Sequence, residues 1–240
     1  MKQGTADQLR HKGLFVVLEG GEGVGKTTQW TRLADALREL GHSVLNVREP
    51  GGTATGDAIR RLLLDPSSQL TPSAEALLFA ASRAQLVADK IKPALANGSI
   101  VLVDRFLLST YAYQGAGRGI ALEELRAINH LATDGLTPDM TLLLNVPIDV
   151  AMARMKHRGP IDRLEREADD FHQRVRAAFD LALSESWQLS HPEVGPVVSV
   201  PAYNDVDAVT VRCLDVLVQR WPRRFSHAAH TALNGMVNNA

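Results

Sequence analysis

The chain has 240 residues, 45% of them hydrophobic, with 26 Lys+Arg against 27 Asp+Glu and a formal net charge of −1. That length allows one large domain or two small ones, and the near-neutral balance argues against a nucleic-acid coat or a polybasic membrane anchor. The one cysteine, Cys213, cannot close an internal disulfide, no apolar run approaches the ~20 residues that span a bilayer, and residues 1–12 are polar, so the chain reads as soluble and cytoplasmic.

After an N-terminal extension of residues 1–13, the apolar run at 14–19 reads as a buried strand. Trp30, Leu33, Ala34, Leu37 and Leu40 then mark one face of a helix that Gly41 stops. Residues 43–47 form a second strand, 50–52 a loop, 57–65 a short helix, and 72–96 a helical region in one or two pieces that ends at Asn97-Gly98. A third strand covers 100–104, a helix 121–134, and a fourth strand 140–146. Helices follow at 148–158 and about 167–190, with a charged connection between them, then a weak fifth strand at 197–200. Val206, Val209, Leu214, Leu217, Val218 and Trp221 mark a last helix that carries Cys213 in its apolar pattern, and 222–240 lacks periodicity. Buried strands alternating with helices predict a parallel sheet covered on both faces. Ligands in such folds bind beyond the carboxyl ends of the strands, so residues 20–28, 48–53 and 104–114 should converge.

The first of these segments carries the chemistry. Gly20-Gly21-Glu22-Gly23-Val24-Gly25-Lys26-Thr27, followed by Thr28, fits G-x-x-x-x-G-K-[ST] between a strand and a helix. Glycines let backbone amides turn toward phosphates, the helix amino terminus adds partial positive charge, Lys26 reaches phosphate oxygens and Thr27 offers a hydroxyl to Mg²⁺. The motif specifies a nucleoside triphosphate but not a reaction. The Asn-Lys-x-Asp string of guanine-specific switches is missing, and a kinase needs a second anionic pocket. Asp104-Arg105 stands at the end of the third strand, where the carboxylate can orient Mg²⁺ through water or sit beside the attacking oxygen and the guanidinium can grip a phosphate. Arg48 ends the second strand on the same sheet edge.

With residues 18–28, Arg48-Glu49-Pro50-Gly51-Gly52-Thr53, Asp104-Arg105, Ser109-Thr110, Tyr113-Gln114-Gly115 and Asp162-Arg163, the chain from about Leu14 to Trp221 resembles the thymidylate kinase family. The resemblance implies a three-layer α/β fold like that of the P-loop nucleoside monophosphate kinases, with a five-stranded parallel sheet, a short lid at about 154–167, and a homodimer. It implies ATP and dTMP as substrates and Mg²⁺ as cofactor. Glu22 would bond the deoxyribose 3′-hydroxyl, Arg48 and Arg105 would hold the dTMP phosphate, and Pro50 would follow a cis peptide. Phe79 would stack on thymine, Arg83 would bond a thymine carbonyl and Gln114 would read the base edge.

The segment 154–166 holds the basic residues Arg154, Lys156, Arg158, Arg163 and Arg166 around a Gly159-Pro160 break. ATP and a monophosphate bring together roughly six negative charges, so mobile arginines closing over the site are expected. In the resemblance, a phosphate loop without arginine implies a catalytic lid arginine; Arg163 is the candidate, with Arg154 and Arg158 toward ATP. A deoxynucleoside kinase, or a non-catalytic nucleotide-dependent switch, stays as the alternative reading.

Overall fold

The computed structural model describes residues 13–156, 162–203 and 205–225. Five parallel strands, β1 (Leu14–Glu19), β2 (Val44–Arg48), β3 (Ile100–Asp104), β4 (Met140–Asn145) and β5 (Val197–Pro201), lie in the order β2-β3-β1-β4-β5. The register pairs Leu14 with Ile100 and Leu18 with Asp104, while Arg48 also lies opposite Asp104. The ends of β1, β2 and β3 therefore finish side by side, as the expected convergence requires. Strand alternation divides the core. Phe15, Val17, Val101 and Val103 face one layer of helices, and Leu14, Val16, Leu18, Ile100 and Leu102 face the other.

On the second face lie α1 (Lys26–Glu39) and α10 (Val206–Arg220), with Leu33, Leu37, Cys213 and Leu217 fully buried. Truncating Leu33 or Leu37 to alanine would cost about 2–5 kcal/mol. Burial pushes the Cys213 thiol up to about 12, as suits a structural cysteine. The first face carries α2 (Ala54–Leu64), α3 (Pro72–Leu86), α5 (Leu107–Thr110), α6 (Leu122–Thr133) and α8 (Asp169–Leu181).

Several element boundaries differ from the sequence reading. Helix α2 begins earlier because the Thr53 side chain accepts from Gly56 N at 2.9 Å and caps it. The 72–96 region is continuous: α3 passes through a π turn (Val87–Ile91) into α4 (Lys92–Ala96). Pro93 has no N–H for the carbonyl four residues back, and the wider turn absorbs that mismatch. The helix expected over 167–190 is two, α8 and α9 (Glu185–Ser190), separated where Ser184 accepts from Trp187 N. Helix α5 and the π-helical Tyr111–Gly117 after it were not foreseen as helix. Helix α7 (Ile148–Lys156) begins where expected, and its predicted extension to 158 lies outside the described residues, as do Arg158 and most of both termini.

Candidate active site

The phosphate loop runs from the end of β1 into α1. Gly23 has φ 74°, and a Cβ there would stand 2.4 Å from the carbonyl oxygen of Ala151, so both backbone angle and space require glycine. Gly25 caps α1 in the left-handed region, and the first turn of the helix carries no acidic residue to occupy its amides. Lys26 Nζ donates to the carbonyls of Gly20 at 2.9 Å and Gly21 at 2.7 Å, folding the ammonium back over the loop. Burial, reinforced by the charge of Arg105, lowers its pKa to about 8.

Thr27 Oγ1 lies 3.4 Å from Asp104 Oδ2, and Asp104 Oδ1 is buried without a hydrogen-bond partner. An orphaned carboxylate oxygen beside a hydroxyl at the mouth of a phosphate loop fits Mg²⁺, which takes few protein ligands and completes its shell with water and phosphate. Among the described residues no cluster of three His, Cys, Asp or Glu forms an all-protein metal cage.

One cavity gathers Glu22, Lys26, Thr27, Arg48, Pro50, Phe79, Arg83, Asp104, Arg105 and Gln114, ten of the sequence-predicted residues. Arg105 holds φ 70°, a strained angle for a side-chain-bearing residue, while its N–H donates to Leu18 O at 2.9 Å. Its guanidinium pairs with Glu22, donates to Gly20 O and Ser109 Oγ at 3.1 Å each, and stacks 5.0 Å over the Tyr113 ring. Burial alone would weaken this charge, but Tyr113, Glu22, Glu19 and Asp104 more than compensate. Tyr113 Oη donates to Glu22 at 2.9 Å, so Glu22 is held by the phenol and the guanidinium together.

Phe79 and Arg83 share one face of α3. Phe79 is half-buried, whereas Arg83 is 2% exposed and spends its donors on Glu49 (2.7 Å), Thr110 (3.0 Å), Asn129 (2.7 Å) and the carbonyl of Phe106 (3.1 Å). Four contacts leave one of its five N–H groups for a ligand. Glu49 Oε1 is buried with no partner, and burial, partly offset by Arg83, raises that carboxyl to about 7. The Glu49-Pro50 peptide is cis.

The lid residues are placed otherwise than expected. Arg163 does not line the cavity: its Nη2 donates to Glu75 Oε2 at 2.6 Å and its Nε to Leu63 O at 2.8 Å, because the buried carboxylate of α3 offers a stronger partner than solvent. Asp162 Oδ1 accepts from Leu164 N and Glu165 N and shapes the turn that presents Arg163 to Glu75. Arg154 lies outside the acceptor cavity, behind the phosphate loop, with Nη1 at 3.4 Å from Val24 O and 3.2 Å from Ala202 O.

Sequence reasoning missed three contributors. Arg60 lines the cavity and donates to Pro50 O at 2.8 Å; burial, then the nearby charge of Arg48, lowers its pKa. Its helix phase was a usable signal, since Gly56 and Leu63 are the buried positions of α2 and residue 60 shares their face. Glu19, fully buried, accepts from Phe106 N (2.8 Å), Ser109 N (3.0 Å) and Ser109 Oγ (2.6 Å), fixing the chain that leaves β3. Glu75, on α3, gathers the lid contacts described above.

A phosphate loop after β1, an aspartate and arginine at the end of the neighbouring β3, and further arginines in the same cavity define a P-loop phosphotransferase of the nucleoside monophosphate kinase kind. The thymidylate kinase family profile matches residues 18–191. The chain is 48% identical to a thymidylate kinase of a Synechococcus strain over 87% of this chain and 96% of that one. It is 50% identical to that of Deinococcus radiodurans over 72% and 85% respectively. The crystal structure of thymidylate kinase from Ehrlichia chaffeensis superimposes with a TM-score of 0.65 at 32% identity, covering 85% of this chain and 98% of that one. The chain belongs to the thymidylate kinase family.

Proposed function

We propose that the chain phosphorylates dTMP to dTDP, taking the γ-phosphoryl group of ATP by direct in-line transfer within a kinase domain of residues 14–221. The observation that carries this reading is the shared cavity in which Lys26 and Thr27 of the phosphate loop face Arg48, Arg60 and Arg105 beside Phe79 and Gln114. Cations in that number suit an acceptor that already bears a phosphate, and they would be wasted on an uncharged nucleoside. The acceptor phosphate is largely ionised near neutrality, so no strong general base is required. Arg48, Arg60 and Arg105 hold it; Phe79 stacks on the base, the remaining N–H of Arg83 meets a base carbonyl, Gln114 reads the edge, and Glu22 takes the 3′-hydroxyl.

Thr27 and Asp104 would hold Mg²⁺, which when bound would offset the negative charge of the phosphates. Lys26 leaves the carbonyls of Gly20 and Gly21 for phosphate oxygens, and the amides of Gly20 to Thr28 cradle them. Arg154 contacts ATP, a role that its bond to Val24 O in the phosphate loop supports. Arg163, bound to Glu75 and Leu63 O, anchors the segment that follows the lid break; a catalytic role requires it to leave that carboxylate. The exposed Leu62, Leu77 and Leu131, on the packed helices α2, α3 and α6, support a homodimer through that face, and the activity suits a cytoplasmic enzyme.

A coupled ADP-release assay with ATP·Mg²⁺ and a panel of dTMP, dUMP, thymidine, dCMP, AMP and GMP tests the reading. Strong stimulation by dTMP with dTDP as product is expected. Stimulation by thymidine in place of dTMP would favour a nucleoside kinase, and no stimulation by any acceptor would leave a nucleotide-dependent switch.

A further inference from the structure

Glu75 is a heavily engaged carboxylate outside the reacting groups. It is fully buried on α3 and accepts from four donors: Arg118 Nε at 3.1 Å, Arg118 Nη2 at 2.9 Å, Arg163 Nη2 at 2.6 Å and Gln114 Nε2 at 2.9 Å. Burial opposes its ionisation, but the bonds from Arg118, Gln114 and Arg163 outweigh burial and bring its pKa below the ordinary carboxylate value. An ionised carboxylate only accepts hydrogen bonds. Gln114 can therefore meet Glu75 through its NH₂ and through no other atom, which fixes the orientation of an amide that would otherwise be free to turn over.

The consequence appears at the other end of that amide. Gln114 is 2% exposed and lines the cavity, and the side-chain hydrogen bond it makes among the described residues is the one from Nε2 to Glu75. A carbonyl oxygen there offers an acceptor to a donor on the base. Thymine and uracil carry a hydrogen at N3, whereas cytosine has a lone pair in its place. We infer that Glu75 is a specificity-positioning residue: by accepting from Gln114 Nε2 it forces Gln114 Oε1 toward the acceptor base, so that the site takes bases with an N3–H and rejects cytosine. This rests on the reading of Gln114 as the residue that meets the base edge.

The test measures kcat and KM for dTMP, dUMP and dCMP in wild type, Glu75→Gln, Glu75→Asp and Gln114→Ala. Glu75→Gln keeps size and shape but can donate, so Gln114 can turn over. The ratio of kcat/KM for dTMP to that for dCMP should fall about tenfold or more, mainly through KM, with dUMP following dTMP. Glu75→Asp disturbs the geometry more but remains an acceptor, and should keep the ratio within about twofold of wild type. A merely structural role predicts the reverse order, and an unchanged ratio in a folded Glu75→Gln enzyme, or an equal loss in Glu75→Asp, would overturn the inference. If instead Gln114→Ala leaves the ratio unaltered, the assignment of Gln114 is at fault and the inference falls with it. Should Glu75→Gln not fold, the wild type decides. In ¹⁵N-labelled enzyme the Gln114 side-chain amide protons, assigned from their loss in Gln114→Ala, should be protected from solvent exchange with and without dTMP. Free exchange in either state would refute the fixed orientation.

Discussion

Burial of Glu49 makes a quantitative statement about stability and pH. Its carboxyl moves from an ordinary value of 4.5 to about 7 because desolvation outweighs the pull of Arg83. Between those two values the folded protein keeps a proton that the unfolded chain has released, so stability must fall as pH rises through the window. The full difference corresponds to about 3 kcal/mol, lost progressively from about pH 4.5 and complete above pH 7. Glu49→Gln removes the titration while keeping the shape and an acceptor for Arg83. Urea unfolding of both proteins between pH 4.5 and 8 cancels the other titrating groups in the difference. Wild type should lose about 3 kcal/mol relative to the variant across that range. A difference that is flat with pH, or that grows in favour of wild type, would mean that Arg83 holds Glu49 ionised throughout and that the orphaned Oε1 is solvated.

Other outcomes follow from the same geometry. Arg163→Ala should lower stability by about 1–3 kcal/mol, read by urea melts, with kcat changed less than about tenfold, since Glu75 and Leu63 O lose a donor; a kcat loss near 10³-fold at unchanged stability would return Arg163 to the reacting phosphates. Gly23→Ala should weaken ATP binding in calorimetry by at least about tenfold, because the new Cβ meets Ala151 O and the left-handed backbone is strained. Leu131→Glu should shift the particle from dimer to monomer in light scattering, because Leu131 is 83% exposed on α6; an unchanged mass would place the contact elsewhere.

The strands and the phosphate loop were legible because their signals are local: an apolar run, then glycines, then a helix period. The gathering of Arg48, Asp104 and Arg105 also followed, since parallel strands must end on one edge. What escaped was set by tertiary contacts. Residues 107–117 carry no helical apolar period because they are buried on several sides, and Gly117 is packed so closely that a Cβ would lie 2.5 Å from the Phe171 ring. Arg163 could be placed on the lid from its neighbours, but its partner Glu75 lies 88 residues away in sequence on α3, where a single buried glutamate looks like any exposed helix position. The roles of Glu49 and Glu19 were hidden for the same reason, as a carboxylate's burial is not written in its flanking residues.

The π-helical stretch Tyr111–Gly117 sets a condition on chain length. Neighbouring side chains in it serve different partners, Tyr113 reaching Glu22 and Gln114 reaching Glu75, and the wide turn lets both point inward. Removing one residue to restore an ordinary helix would rotate everything on one side of the cut by about 100° relative to the other. No side-chain replacement could then recover both contacts at once. Insertions and deletions in this stretch should therefore be the most damaging changes, because they displace Tyr113 and Gln114 together, whereas a substitution disturbs one contact at a time.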